Sequence, residues 1–97
     1  MTIGELKQLI AERNEIGGSL SRARLYASEI SYTNGPQAFA AKREVKLWED
    51  EYKEACAKTP LMLDGLSADQ FVRYVDCDDS EQIEDVAVRV RKMRTVN

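Results

Sequence analysis

The alternating carboxylates that begin at Asp76 are the residues of this chain with the clearest potential for chemistry. Asp76, Asp78 and Ser80 are spaced like the first oxygen ligands of a calcium-binding loop. Two essential positions differ, because Glu81 stands where such a loop needs glycine and Ala87 stands where it needs a bidentate glutamate. The pattern therefore predicts no metal site, and stabilisation of a helix start accounts better for these acids.

Nucleophilic and acid–base catalysis have little support in the sequence. The chain has no histidine, and it contains neither a glycine-rich phosphate loop nor a nucleophile elbow. Cys56 and Cys77 lack the spacing of a zinc or redox motif, so we expect two free thiols, with a disulfide between them as the alternative. We therefore expect no enzymatic activity and no cofactor.

Residues 64–85 form an acidic segment, with eight acidic residues against Arg73 alone. Helix capping explains part of this set, and contact with a basic partner surface would relieve the repulsion among the rest. Imitation of a nucleic-acid backbone by the carboxylates is a further alternative. The acids that we assign to partner binding, called the acidic corner below, are Asp64, Asp76, Asp78, Asp79, Glu84 and Asp85.

A second charged set flanks a predicted turn between two helices at residues 34–36. Bases interleaved with outward-facing apolar and aromatic residues could contact a protein or a nucleic-acid backbone, and a solvated charged face is the simpler alternative. As a partner-binding surface we place this set below the acidic corner. The set, called the basic tip below, consists of Arg22, Arg24, Leu25, Tyr26, Lys42 and Arg43, with Tyr32 and Lys46 nearby.

The elements that position these residues follow from a seven-residue apolar rhythm. Residues recur at alternating steps of three and four before and after Asn34-Gly35-Pro36, as in helices that wrap around each other. The sequence therefore predicts an all-α fold with a long, coiled-coil-like antiparallel hairpin of helices over residues 2–31 and 36–58. The contact positions are Thr2, Leu6, Leu9, Arg13, Ile16, Leu20, Ala23, Ala27 and Ile30, then Ala38, Ala41, Val45, Trp48, Tyr52 and Ala55.

Two features inside the hairpin bear on its packing. Trp48 and Tyr52 fall on the contact face, so we expect both to form its core. Gly17-Gly18 lies on the first helix, and adjacent glycines cost about 1–2 kcal/mol relative to alanine. Because the heptad phase passes through them unbroken, they indicate either a point of close packing or a kink rather than a helix end.

The C-terminal third predicts two short helices, which a connecting loop over residues 59–66 separates from the hairpin. Ser67-x-x-Gln70 forms a capping box for the first of them, and Asp78-Asp79-Ser80 is expected to cap the second. Ile3 and Ile10 widen the apolar stripe at the start of the first long helix beyond the hairpin seam. We therefore expect the two short helices to pack there, on the open end of the hairpin.

Length and composition indicate one folded domain. The chain has 97 residues, 43% hydrophobic and 32% charged, which is too apolar for a disordered protein. It shows no membrane-spanning run and no signal peptide, so we expect a cytoplasmic protein without membrane contact.

These features together favour a small, non-catalytic regulator, adaptor or inhibitor that binds a protein partner, with a basic partner surface preferred. Small size, the lack of catalytic motifs and uneven charge are also traits of accessory proteins by which bacteriophages bind host machinery. Two alternatives stay open. One is nucleic-acid binding through the basic tip, and the other is a structural subunit that forms a homodimer along its hairpin.

Overall fold

The helices lie where the apolar patterns predict them. A computed structural model describes residues 1–30 and 35–95 of the chain. Helix α1 spans Ile3–Ile30, α2 spans Pro36–Lys58, α3 spans Ala68–Tyr74 and α4 spans Ile83–Thr95. The predicted all-α class is therefore confirmed. Three positions named above lie outside the described residues: the predicted helix end at Ser31, Tyr32 near the basic tip, and Asn34 of the turn.

The chain divides into two compact units. The hairpin unit comprises Glu12–Ala57, and the terminal unit comprises Met1–Ala11 together with Lys58–Asn97. Helix α1 therefore contributes its first residues to one unit and the remainder to the other. Each unit has its own set of buried side chains.

In the hairpin unit, α1 and α2 pack against each other along the predicted contact face. Leu20, Ala38 and Ala41 are buried there, and the other contact positions of the unit are half-buried. Helix α1 continues through the glycine pair, where a Cβ atom on Gly17 would lie 3.2 Å from Cε2 of Tyr52. Gly17 thus lets the aromatic ring lie directly against the α1 backbone, which is the close-packing interpretation of the pair.

Trp48 is half-buried, although the heptad pattern placed it in the hairpin core. Two helices bury only the strip along which they touch, so a large ring on that strip keeps an edge in solvent. Trp48 therefore lies on the predicted face without being enclosed.

The terminal unit holds the larger apolar core. It joins the start of α1 to both short helices, and its side chains are Ile3, Leu6, Ile10, Ala68, Phe71, Ile83, Val86 and Ala87. The largest fully buried side chain is that of Phe71. The expectation that the two short helices pack on the first turns of the first long helix is thereby confirmed.

The starts of α1 and α4 are joined by backbone hydrogen bonds. Thr2 and Gln82 form an antiparallel bridge, in which Ile3 N–H donates to the Glu81 carbonyl at 2.8 Å and Ile83 N–H donates to the Met1 carbonyl at 3.0 Å. A helix leaves its first N–H groups without intrahelical acceptors, and this bridge supplies acceptors at both helix starts. The spacing Thr2-x-x-Glu5 is that of a capping box, and the box forms: Thr2 Oγ1 accepts from Glu5 N–H at 3.1 Å, and Thr2 N–H donates to Glu5 Oε1 at 3.4 Å.

A short β-hairpin replaces part of the predicted connecting loop. Strands β1, Met62–Leu63, and β2, Leu66–Ser67, pair antiparallel around Asp64 and Gly65, whose φ angles are 51° and 84°. Asp-Gly between apolar residues is the usual sequence for a two-residue turn with positive φ at both positions. The hairpin leads into α3, and its last residue supplies the predicted capping box, in which Gln70 N–H donates to Ser67 Oγ at 3.2 Å.

Helix α4 begins later than the acidic triplet predicts. Asp78-Asp79-Ser80 was expected to cap it, but the helix starts at Ile83. The triplet instead forms a turn, in which Glu81 N–H donates to the Asp78 carbonyl at 3.1 Å, and the bridge through Gln82 follows. The pairing with Thr2 requires extended backbone at Gln82, so the helix cannot begin before Ile83.

The burial pattern predicts a large difference between two phenylalanines. Phe71 is 0% exposed and Phe39 is 69% exposed. We expect Phe71→Ala to lower the free energy of unfolding by about 3–5 kcal/mol. We expect Phe39→Ala to change it by less than about 0.5 kcal/mol. Urea denaturation followed by circular dichroism measures both, and equal costs would show that the core is assigned wrongly.

Candidate functional site

The terminal unit has a groove between the end of α3, the segment that follows it, and α4; it is called the α3–α4 groove below. Its volume is about 720 Å³. The apolar part of its lining consists of Leu66, Tyr74, Val75, Val90 and Met93, and the polar part consists of Asp76, Asp78, Glu81 and Arg89. Tyr74 and Met93 are 70% and 67% exposed, so two large apolar side chains border the groove in contact with solvent.

Arg89 organises the polar side of the groove. Its guanidinium donates to Glu81 Oε1 at 2.7 Å and to the carbonyl oxygen of Asp76 at 2.6 Å. Glu81 Oε2 in turn accepts from Asp78 N–H at 2.8 Å. These bonds hold the turn that precedes α4 against the helix itself. The arginine therefore fixes the positions of both groove aspartates through the backbone.

The same bonds set the charge of the groove. Hydrogen bonding to Arg89, and then to the backbone of Asp78, holds the pKa of Glu81 below its ordinary value. The hydrogen bond to Glu81 raises the pKa of Arg89. Both side chains are ionised at neutral pH, and neither exchanges protons readily there.

Cys77 lines the groove as a half-buried thiol. Its Sγ donates to the Val75 carbonyl oxygen at 3.4 Å. Burial raises the pKa of the Cys77 thiol, although Lys7 and Arg89 oppose the shift. A raised pKa lowers the fraction of thiolate, so Cys77 is a weak nucleophile at neutral pH. Cys56, on α2, is also half-buried.

Part of the acidic corner is paired with bases that are distant in sequence. Lys7 Nζ lies 2.7 Å from Asp79 Oδ1, and Arg91 Nε lies 3.1 Å from Asp64 Oδ1. The hydrogen bond to Asp79 raises the pKa of Lys7. The charge imbalance of the acidic segment is therefore smaller in space than along the sequence. These two pairs also place Asp79 and Asp64 in structural roles.

The remaining members of the acidic corner fall into two groups. Asp76 and Asp78 are exposed and line the α3–α4 groove. Glu84 and Asp85 are exposed in the first turn of α4, where carboxylates favour the helix dipole. Asp85 precedes Arg89 by one helical turn, so it lies on the stripe of α4 that borders the groove. The six predicted acids therefore do not form one surface.

The basic tip is likewise only partly brought together. Arg24 and Lys42 line a shallow groove of about 400 Å³ along one side of the hairpin unit, beside Lys46. Ion pairs offset two of these charges, since Arg24 lies 3.4 Å from Glu49 and Lys46 lies 3.3 Å from Asp50.

The other members of the basic tip lie outside that groove. Arg22 donates to Ser19 Oγ at 3.1 Å, and Arg43 is exposed. Leu25 and Tyr26 are 63% and 48% exposed, as their outward heptad positions predict.

Four exposed apolar residues and one arginine were missed by the sequence analysis. Phe39 and Leu47 lie off the heptad seam of α2, so their exposure followed from the pattern already recognised. Tyr74 and Met93 follow the apolar residues of α3 and α4 in sequence, and only the packing of the helices reveals them as groove residues. The role of Arg89 depends on the turn before α4, which forms where the sequence predicts a helix cap.

The α3–α4 groove combines exposed apolar side chains with exposed carboxylates. Within residues 1–30 and 35–95, no group of three or more His, Cys, Asp or Glu side chains is placed to hold a metal ion. Among the same residues, no helix has the length and apolar character needed to cross a membrane. Comparison with protein-family models, curated proteins and solved structures finds no match to this chain.

The ion pair at the groove predicts a measurable titration shift. We expect Arg89→Gln to raise the pKa of Glu81 toward its ordinary value, because the hydrogen bond that favours the carboxylate is lost. Carbon-13 NMR of the side-chain carboxyl carbons across an acid titration measures it. Arg73→Gln, on exposed α3 surface, is the matched control and should leave Glu81 unchanged.

The lowered pKa of Glu81 also affects how the stability of the fold depends on pH. A carboxyl whose folded-state pKa is lowered stabilises the fold above its unfolded-state pKa and loses that contribution as the pH falls through the folded-state pKa. The stability difference between wild type and Arg89→Gln should therefore shrink on acidification. A constant difference from neutral to acidic pH would contradict the assignment.

Proposed function

We propose that the protein is a small, non-catalytic protein-binding module of the regulator, adaptor or inhibitor kind. Its α3–α4 groove would take an apolar side chain from a partner segment that also carries lysine or arginine. The observation that supports this proposal is the juxtaposition of exposed Tyr74 and Met93 with exposed Asp76 and Asp78 along one groove. Apolar anchors bordered by charge are typical of specific protein contacts.

The charges of the groove favour a basic partner. Arg89 is engaged by Glu81, so the exposed charges left on the polar side are those of the two aspartates. A positively charged segment gains encounter rate and orientation from such a surface. The proposal therefore restricts the contact within the acidic corner to Asp76 and Asp78. Asp85 lies nearby on α4, one helical turn before Arg89. An accessory protein that blocks host machinery would use a surface of this kind.

Catalysis is not part of the proposal because the available groups are poorly suited to it. The chain has no histidine. Glu81 is held ionised by Arg89, and burial raises the pKa of Cys77. A general acid–base group needs a pKa near the working pH, and a nucleophilic cysteine needs a lowered one.

Nucleic-acid binding through the basic tip has less support. Arg24 and Lys46 are engaged with acids of the same hairpin, and such pairing reduces the charge available for phosphate contacts. The experiment below separates the two surfaces.

Partner capture with matched variants tests the proposal. The wild-type protein captures ligands from a lysate of its native cells, with and without nuclease, and each captured protein is then purified and its affinity measured. We expect Asp76→Asn with Asp78→Asn to weaken binding by about tenfold or more. Glu84→Gln with Asp69→Asn removes the same charge outside the groove and should leave the affinity unchanged. Tyr74→Ser should also weaken binding, while Leu61→Ser, at an equally exposed position, should not.

Two outcomes would contradict the proposal. The first is loss of binding only with Arg24→Glu, Lys42→Glu and Arg43→Glu, which would assign the contact to the basic tip. The second is capture that nuclease abolishes, which would make nucleic acid the ligand. Circular dichroism of every variant ensures that affinities are compared between folded proteins.

A further inference from the structure

The face of α2 directed away from α1 exposes two large apolar side chains. Phe39 is 69% exposed and Leu47 is 61% exposed. They are eight residues apart, about 12 Å along the helix, and Arg43 lies between them on the same stripe. Asp50 and Glu54 continue this stripe toward the C-terminal end of the helix. The contact with α1 leaves the whole stripe uncovered.

Charge is segregated along the hairpin unit. Residues 19–30 and 35–47, nearest the turn, contain five bases and two acids. Residues 12–18 and 48–57, at the opposite end, contain six acids and two bases. The hairpin unit is therefore positive at one end and negative at the other.

This segregation opposes the stability of a single hairpin. On α2, Lys42 and Lys46 are one turn apart, as are Asp50 and Glu54, and like charges at that spacing destabilise a helix. The Lys46–Asp50 ion pair has its base on the N-terminal side, which is the weaker orientation for such a pair. A facing surface with the opposite order of charges would relieve this repulsion.

We propose that the hairpin unit binds a second copy of the chain through this outer face, with the two α2 helices antiparallel. A two-fold axis then places the positive end of each hairpin against the negative end of the other, so the charges of both ends face opposite charges across one interface. With Arg43 facing Glu54 of the second copy, the axis passes between residues 48 and 49. The two Leu47 side chains then lie within one turn of each other, and Phe39 faces Lys58, the last residue of α2, in the second copy.

A second copy complements the charges along the whole stripe, whereas other occupants would complement only one end of it. A nucleic acid would engage the positive end and be repelled by the negative end, and a uniformly charged protein would face the same conflict. The pairing uses a surface on the hairpin unit and is independent of the α3–α4 groove.

Analytical ultracentrifugation of the purified full chain tests the pairing. We expect a monomer–dimer equilibrium with a Kd below about 1 mM in dilute buffer, weakening as salt is added. Leu47→Ser should raise the Kd by about tenfold, because a two-fold interface contains the substituted residue in both copies. Leu61→Ser changes the same residue type at an exposed position of the terminal unit and should leave the Kd unchanged.

A charge exchange tests the antiparallel arrangement. Arg43→Glu alone and Glu54→Arg alone should each weaken the dimer, and the double variant should recover the wild-type Kd, because each reversed charge again faces its opposite. Thermal unfolding by circular dichroism confirms that all three variants are folded. A wild-type chain that stays monomeric at about 1 mM would overturn the proposal. A dimer that Leu47→Ser leaves intact, or a double variant without recovery, would overturn it as well.

Discussion

The terminal unit depends on the antiparallel bridge between the first residues of the chain and the segment before α4. Four backbone groups, on Met1, Ile3, Glu81 and Ile83, exchange two hydrogen bonds there. A buried N–H without an acceptor costs about 1–3 kcal/mol, so two helix starts that supply each other's acceptors can both enter one core. Ile3, Ile83 and Val86 can therefore all be buried in the same core.

The bridge also determines the shape of the groove. It keeps the backbone extended as far as Gln82, so the residues from Asp76 to Glu81 turn back along α4 within reach of Arg89. The arginine then fixes this turn. The groove aspartates therefore lie on backbone that the N-terminus of the chain holds in place, and the proposed contact near one end of the sequence depends on residues at the other.

Local patterns in the sequence were sufficient for the existence of the helices and for the caps of α1 and α3. The heptads placed α1 and α2, and the spacings Thr2-x-x-Glu5 and Ser67-x-x-Gln70 identified both capping boxes, because each depends on contacts within one or two turns. The Asp-Gly turn was equally local and was overlooked among the apolar residues that flank it. The start of α4 was misplaced because a pairing across nearly the whole chain decides it.

The candidate site was less accessible to sequence reasoning than the fold. Counting charge along residues 64–85 gave a strongly acidic segment, but Lys7 and Arg91 reach it from other elements. Ion pairs of this kind join residues that are far apart in sequence, and no periodicity records them. Asp76 and Asp78 kept their exposure and Asp64 did not, and only the tertiary structure distinguishes them.

The division of α1 between two units has a consequence for the order of folding. The hairpin unit, Glu12–Ala57, is continuous in sequence, whereas the terminal unit must bring Met1–Ala11 together with the chain after Lys58. Contacts between residues close in sequence form faster, since less loop entropy is lost in closing them. The hairpin should therefore form first and shorten the effective loop that the terminal core has to close.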